Sequence, residues 1–285
     1  MLEPVYMLAI DHRWQWEEWC DANNVERARI PEVKSLAAEA FLAARDSSSL
    51  IRDSGALLVD LTYGGAAFTT AHTAGAMVGT PAERAGVFPL EWTDDFDAAL
   101  PGQFVKVLVR HRSDLAPGVI SSQRQQLLQL QQWCAARKKP LVLEVLVAAG
   151  KGEESGFDSD GRPQVLARYI TDAYADGLLP DYWKIEGMPS ATALRVVDAA
   201  IREKAGPRQL ILGKGAGMDQ VKQWFESAAG APTAAGFAIG RTVYFDAASG
   251  WLKGNLSRDQ AIGQIRANYQ RVIDAWLQVH GSSPQ

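Results

Sequence analysis

Short apolar runs alternate with longer amphipathic stretches along this chain. The runs at 5–10, 56–60, 104–110, 141–147, 182–186, 209–212 and 235–239 are rich in Val, Leu, Ile and Ala. Their length and near-continuous apolarity fit strands of a parallel sheet, buried on both faces. One more strand is expected, at 76–78 or at 87–91. Stretches at 31–44, 121–137, 163–176, 190–204, 218–228 and 257–279 carry helical spacing instead. Pro31 stands at a first-turn position, where its missing N–H costs nothing. Leu127, Leu128, Leu130 and Trp133 form one apolar stripe. Ser257-Arg258-Asp259-Gln260 is a capping-box pattern that starts the last helix.

About eight β units alternating with helices imply a parallel sheet covered by helices. The later strands recur roughly every 25 to 40 residues, which suits right-handed crossovers. The expected fold is a single α/β domain, a (β/α)8 TIM barrel over residues 1–285, with 281–285 as a frayed tail. A chain of 285 residues suits that fold. A doubly wound open sheet is the alternative. It would carry G-x-G-x-x-G after the first strand, and Asp11-His12-Arg13 stands there instead. The Gly-rich segment 150–161 has the size of an active-site loop, not of an interdomain tether.

Composition narrows the partners. A net charge of −4 and a pI of about 5.6 argue against nucleic acid. A local basic pocket for a phosphate remains compatible with them. The cysteines Cys20 and Cys134 are expected as free thiols in a reducing cytoplasm. No run reaches the roughly 18 to 20 apolar residues of a membrane span, and the first residues lack a signal-peptide pattern. A soluble, cytoplasmic protein without a membrane partner is expected, and a homo-oligomer is left open.

The informative residues are charges set inside apolar strands. Lys106 lies in Phe104-Val105-Lys106-Val107-Leu108-Val109, and Glu144 in Leu141-Val142-Leu143-Glu144-Val145-Leu146-Val147. Lys184 and Glu186 lie in Tyr182-Trp183-Lys184-Ile185-Glu186. An interior charge is costly unless paired. Alternation places Lys106, Glu144 and Lys184 inside the barrel if they share that face. Two lysines and a glutamate there would compensate and perturb one another. Schiff-base chemistry needs such a set: a neutral amine as nucleophile and a carboxylate to shuttle protons. A buried ion-pair network without chemistry would look the same from spacing alone.

The last two strands end in Gly213-Lys214-Gly215-Ala216-Gly217 and in Gly240-Arg241-Thr242. Loops after strands seven and eight of barrels often bind phosphate through backbone N–H groups and a helix N-terminus. Gly213, Lys214, Gly215, Gly240 and Arg241 are therefore the phosphate candidates, although helix-entrance turns would read alike. Asp11, His12 and Arg13 close the first strand, as site residues or as a rim ion pair. Asp60, before Thr62-Tyr63-Gly64-Gly65, is a site residue or a helix cap. Four histidines, none in H-x-H or H-E-x-x-H, disfavour a zinc site. No metal or other cofactor is expected.

Ile10-Asp11-His12-Arg13, Leu143-Glu144, Asp181-Tyr182-Trp183-Lys184-Ile185-Glu186, Gly236-Phe237-Ala238-Ile239-Gly240-Arg241-Thr242 and the tail from Trp251-Leu252-Lys253-Gly254 to Asn268-Tyr269 together resemble a known domain. It is the aldolase domain fused to the kinase of bacterial inositol catabolism, DUF2090-like. That domain is similar to the class I barrels of the tagatose-1,6-bisphosphate aldolase type. The resemblance spans nearly the whole chain and is weakest over 62–102. It implies an aldehyde-lyase in which Lys184 forms the imine, Glu144 handles protons and Lys106 assists. It also implies that Asp11 borders the substrate and that Gly240-Arg241 holds its phosphate; Arg13, Asp60 and Glu186 are expected as further substrate-binding residues. The implied substrate is 2-deoxy-5-keto-gluconate 6-phosphate, cleaved to dihydroxyacetone phosphate and malonate semialdehyde. A tagatose-bisphosphate, a sulfo-sugar phosphate, or a barrel that only senses a sugar phosphate are the alternatives.

Overall fold

The structure is a computed structural model that describes residues 4–92 and 95–281. Residues 282–285 of the expected frayed tail lie outside the described residues. Among the described residues eight parallel strands close into a barrel in chain order, with the last strand pairing the first. The strands are β1 (Val5–Ala9), β2 (Gly55–Leu58), β3 (Met77–Pro81), β4 (Phe104–Arg112), β5 (Leu141–Ala148), β6 (Tyr182–Glu186), β7 (Arg208–Leu212) and β8 (Ala234–Ile239). The expected (β/α)8 barrel is therefore the fold, and the open sheet is excluded. The strand in doubt is β3, the 76–78 candidate. Segment 87–91 forms no strand.

Helices pack around the barrel. After β1 come α1 (Trp14–Ala22), α2 (Ile30–Ser47) and the short α3 (Ser49–Ser54). Next are α4 (Leu61–Thr73) after β2, α5 (Phe96–Ala99) before β4, α6 (Pro117–Ala136) after β4 and α7 (Arg162–Ala175) after β5. Then follow α8 (Ala191–Ile201), α9 (Met218–Ser227), α10 (Arg241–Leu252) and α11 (Arg258–His280). The capping box at Ser257 and Gln260 is formed. Helices α1, α4 and α10 escape the sequence pattern because Gly, Thr and bulky aromatics interrupt their spacing, as in Leu61-Thr62-Tyr63-Gly64-Gly65.

The barrel interior has two layers. Val5, Met7, Ala56, Leu58, Phe104, Val142, Tyr182 and Leu210 fill the N-terminal half with apolar atoms. Phe104 packs flat across Gly79, where a Cβ would stand 2.1 Å from its ring. The polar side chains begin one step higher, toward the C-terminal ends. An irregularity between β7 and β8 sets the last of these positions. Gln209 faces Ala234 whereas Ile211 faces Phe237, so β8 carries one extra residue. Gly236 absorbs it with φ of +138°, against the Val5 carbonyl, where a Cβ would stand at 2.0 Å. The shift keeps both Ala235 and Ala238 inward and brings Gly240 to the barrel mouth.

Candidate active site

A cavity of about 240 Å3 opens at the C-terminal ends of the strands, where barrels of this kind carry their sites. Asp11, His12, Arg13, Glu83, Lys106, Glu144, Lys184, Gly213, Lys214, Gly215, Gly240 and Arg241 line it. Ten of the expected site residues are thus gathered at one place.

Its centre is a lysine held by three carboxylates. Nζ of Lys106 lies 3.0 Å from Oδ2 of Asp11, 2.9 Å from Oε1 of Glu83 and 2.9 Å from Oε2 of Glu144. Lys106, Glu144 and Lys184 do share the inner face, as alternation predicts. Glu144 and Lys184 are facing partners across β5 and β6, and Lys184 Nζ donates to Oε2 of Glu144 at 2.9 Å. All of these groups are buried. Burial alone would lower Lys106, but Asp11, Glu144 and Glu83 overcome it and hold the ammonium well above its ordinary pKa. Burial disfavours the charged carboxylates too. Lys106 and Lys184 outweigh it, so that Asp11 and Glu144 both stay below the usual carboxylate range. Asp11, Glu144 and Lys106 are therefore charged at neutral pH.

Glu83 was not anticipated. It follows β3, the least legible strand, in a polar loop. Its Oε2 accepts from the backbone N–H of Leu108 at 3.0 Å, which aims Oε1 at Lys106. Arg13 clamps the same residue, donating to the Glu83 carbonyl at 3.1 Å and to Oε1 at 3.3 Å. Arg13 therefore reaches the cavity while serving as a rim ion pair.

Two expected ligands stand elsewhere. Asp60 is fully buried outside the cavity lining, which corrects its reading as a substrate residue. Its Oδ1 caps α4 by accepting from Tyr63 N at 2.9 Å, and its Oδ2 pairs with Lys34 at 2.7 Å. Lys34, fully buried on α2, also donates to the carbonyls of Ile10 and His12. That lysine fixes the backbone on either side of Asp11. Glu186 is inward but lies to one side of the centre. It pairs with Arg162 and with Lys214, each at 3.0 Å, and borders an adjoining lobe with Arg110 and His111.

The glycine turns meet as the sequence suggests. Nη2 of Arg241 donates to the Lys214 carbonyl at 2.9 Å, and its guanidinium lies against Gly215. Gly215 has φ of +77°, so a side chain there would be strained as well as crowded. A Cβ on Gly240 would stand 2.0 Å from the Ala9 carbonyl. Arg241 opens α10, whose N-terminus has no side-chain cap, and Nε of Arg241 is buried with no hydrogen-bond partner. Free helix N–H groups beside a guanidinium are surroundings that favour an anion. Lys214 is drawn toward Glu186 rather than toward this turn. Among the described residues no group of three His, Cys, Asp or Glu side chains could hold a metal ion, and no helix is long and apolar enough to cross a membrane.

This fold is shared with solved aldolases. A fructose-bisphosphate aldolase from Plasmodium falciparum, solved with TRAP and a small-molecule inhibitor, superposes with a TM-score of 0.71 at 13% identity, covering 99% of this chain and 92% of the aldolase. A Schiff-base-forming fructose-1,6-bisphosphate aldolase gives 0.58 at 17% identity, covering 95% and 94%. An archaeal fructose 1,6-bisphosphate aldolase gives 0.55 at 16%, also covering 95% and 94%. No curated protein matches the chain. The barrel architecture is the one these aldolases share. The chain belongs to the family described as "Uncharacterized protein conserved in bacteria (DUF2090)", which matches residues 1–280.

Proposed function

We propose that this protein is a class I aldolase that cleaves a phosphorylated keto-sugar or keto-sugar acid through an imine on Lys184. The observation that carries the reading is the unequal dress of the two interior lysines. Lys106 touches three carboxylates and stays a cation; Lys184 touches one, Glu144. A nucleophilic amine must give up its proton, and a fixed cation beside it favours that loss. Lys184 is the nucleophile and Lys106 the permanent charge.

The chemistry follows from these positions. Nζ of Lys184 adds to the substrate carbonyl to give a carbinolamine. Glu144, in contact with that nitrogen, takes up the proton that the ammonium gives up and passes it to the carbinolamine hydroxyl, so that water departs and a protonated imine remains. A carboxylate, Asp11 or Glu144, takes the proton from the hydroxyl β to the imine. The carbon–carbon bond then breaks, its electron pair moves into the enamine, and the aldehyde leaves. Protonation of the enamine and hydrolysis release the ketone and restore the amine. Lys106 offsets negative charge on the oxygen lost and on the carboxylates between steps. The Gly240-Arg241 turn, with Gly213 and Gly215, binds the phosphate, and that remote binding energy positions the carbonyl over Lys184. Arg13 and Glu186 shape the walls.

Within this class we assign 2-deoxy-5-keto-gluconate 6-phosphate as substrate, giving dihydroxyacetone phosphate and malonate semialdehyde. The motif resemblance supports that choice, and the shared barrel of Schiff-base aldolases supports the reaction. No metal or other cofactor enters these steps. The test is borohydride reduction with dihydroxyacetone phosphate. The adduct mass is expected on the peptide that holds Lys184. An adduct on Lys106, or none, overturns the assignment. A panel with tagatose 1,6-bisphosphate and a sulfo-sugar phosphate then fixes the sugar. Glu144→Gln should still bind substrate and slow turnover by about two to four orders of magnitude.

A further inference from the structure

His12 takes no part in the amine chemistry, yet its surroundings define it closely. The half-buried ring lines the cavity and lies directly on the Gly240 turn. Its Cε1 would stand 2.7 Å from a Cβ on Gly240. Lys34 holds the His12 carbonyl at 2.5 Å from inside the protein. Backbone and ring are thus both anchored.

The hydrogen bonds around the ring fix where its proton sits. Nε1 of Trp16 donates to the Tyr244 hydroxyl at 3.0 Å. An indole N–H is a donor only, so the phenol oxygen accepts there and must use its own proton elsewhere. Its other contact is Nδ1 of His12, at 3.2 Å. Burial raises the Tyr244 pKa far above its usual value, so that proton stays on the phenol. Nδ1 is therefore an acceptor. The ring as a whole is neutral. Burial, helped by Lys34, Arg241 and Lys184 and opposed by Asp11, pushes its pKa down to about 3. A neutral imidazole whose Nδ1 accepts carries its one proton on Nε2. Among the described residues that Nε2–H has no hydrogen-bond partner, and the neighbouring Nε of Arg241 has none either. Two unspent donors of different charge adjoin one turn.

We propose that His12 binds the substrate through this Nε2–H, as a neutral donor to the phosphate-class oxyanion seated on the Gly240-Arg241 turn. The proposal rests on the phosphate reading of that turn given above. A neutral donor suits the place. It grips an anion without adding a second cation that would compete with Lys184 and Lys106 for Asp11 and Glu144. Trp16, Tyr244 and His12 form a chain in which each donor polarises the next, so the last donor is the strongest.

The experiment uses protein labelled with 15N-histidine and inorganic phosphate as the probe. Long-range proton–nitrogen spectra at pH 7, assigned with His12→Gln, are expected to show a bare Nδ1 and a protonated Nε2. Phosphate is expected to shift the Nε2 signal. His12→Ala should weaken phosphate binding about five- to tenfold. His12→Gln, whose amide N–H can stand in for Nε2–H, should keep binding within about threefold of wild type. Tyr244→Phe should release Nδ1 and mix the tautomers. A ring protonated on Nδ1 or on both nitrogens overturns the proposal, as does saturating phosphate that leaves Nε2 unmoved. Borohydride trapping on Lys184 is read separately. Trapping that fails while the Nε2 response persists removes the aldolase reading and supports the anion role of His12.

Discussion

The ammonium groups of Lys106 and Lys184 converge on one atom, each 2.9 Å from Oε2 of Glu144. Their distances are equal and their consequences are not. Lys106→Met leaves Asp11, Glu83 and Glu144 crowded with Lys184 as the sole remaining ammonium partner among them. Removing one partner of a buried ionic cluster typically costs about 3–5 kcal/mol, and that loss is expected in urea unfolding. Lys184→Met leaves Glu144 paired with Lys106. It is expected to cost under about 2 kcal/mol while abolishing imine trapping. Equal destabilisation by the two variants would refute this division of roles.

The proposed anion site makes a kinetic prediction. Arg241→Ala should lower kcat/KM for the phosphorylated substrate by about one to two orders of magnitude, the value of a charge-assisted hydrogen bond. The poor turnover of an unphosphorylated analogue should hardly change. If both substrates lose equally, Arg241 is only a packing residue against Gly215.

The pair under the first strand predicts a stability rescue. Lys34→Met strands the Asp60 carboxylate in a fully buried place and should cost about 3–5 kcal/mol. Adding Asp60→Asn removes the stranded charge and keeps an acceptor for the α4 cap. The double variant should be more stable than Lys34→Met alone, a coupling that a double-mutant cycle reads directly. Additive effects would mean that the two side chains act independently.

Acid should unfold the protein in two ways. His12 titrates near 6.5 when unfolded and at about 3 when folded. The unfolded chain thus takes up a proton first, and stability falls as pH drops from about 6.5 toward 3. By pH 5 this amounts to at most about 2 kcal/mol. Asp11 and Glu144, depressed in the fold, contribute stability that is present above their unfolded values and lost as pH falls through the folded ones. Lys106, raised in the fold, behaves oppositely: its contribution is present below about 10.5 and lost in strong alkali. The charged groups that face His12 are Asp11, Lys34, Lys184 and Arg241. Urea midpoints at pH 7.5 and 5.0 should differ less for His12→Gln than for wild type. Identical differences would show that His12 titrates normally.

The sequence exposes Lys106, Glu144 and Lys184 because a charge within an apolar strand has no solvent to excuse it. It exposes the barrel because seven of its strands are short, nearly continuous apolar runs. Strand β3 is harder to read, since Gly79 and Pro81 break the run, and Glu83 is hidden with it. Asp60 shows a different obstacle. A carboxylate at a strand end has the same sequence signature whether it meets substrate or caps the next helix. What decides the case is Lys34, 26 residues earlier, and nothing in the spacing of α2 marks that lysine as inward. His12 was legible as a polar residue at the right strand end. Its tautomer depends on Tyr244, 232 residues away, and belongs only to the folded chain.

The apolar layer that fills the N-terminal half of the barrel turns the site into a cup. Among the described residues water and protons reach it from the C-terminal side of the strands. A bound substrate is the stopper of that cup, and while it sits there the proton inventory is closed. The proton drawn from the substrate hydroxyl then has few acceptors, all of them on the carboxylates around Lys106, and one of these must return a proton to the enamine. In heavy water that hydroxyl is already deuterated before it binds, so the closure is read in the reverse direction: a hydrogen drawn from the ketone carbon to form the enamine is expected to return in part to that carbon before solvent replaces it, a memory that an open-ended channel would erase.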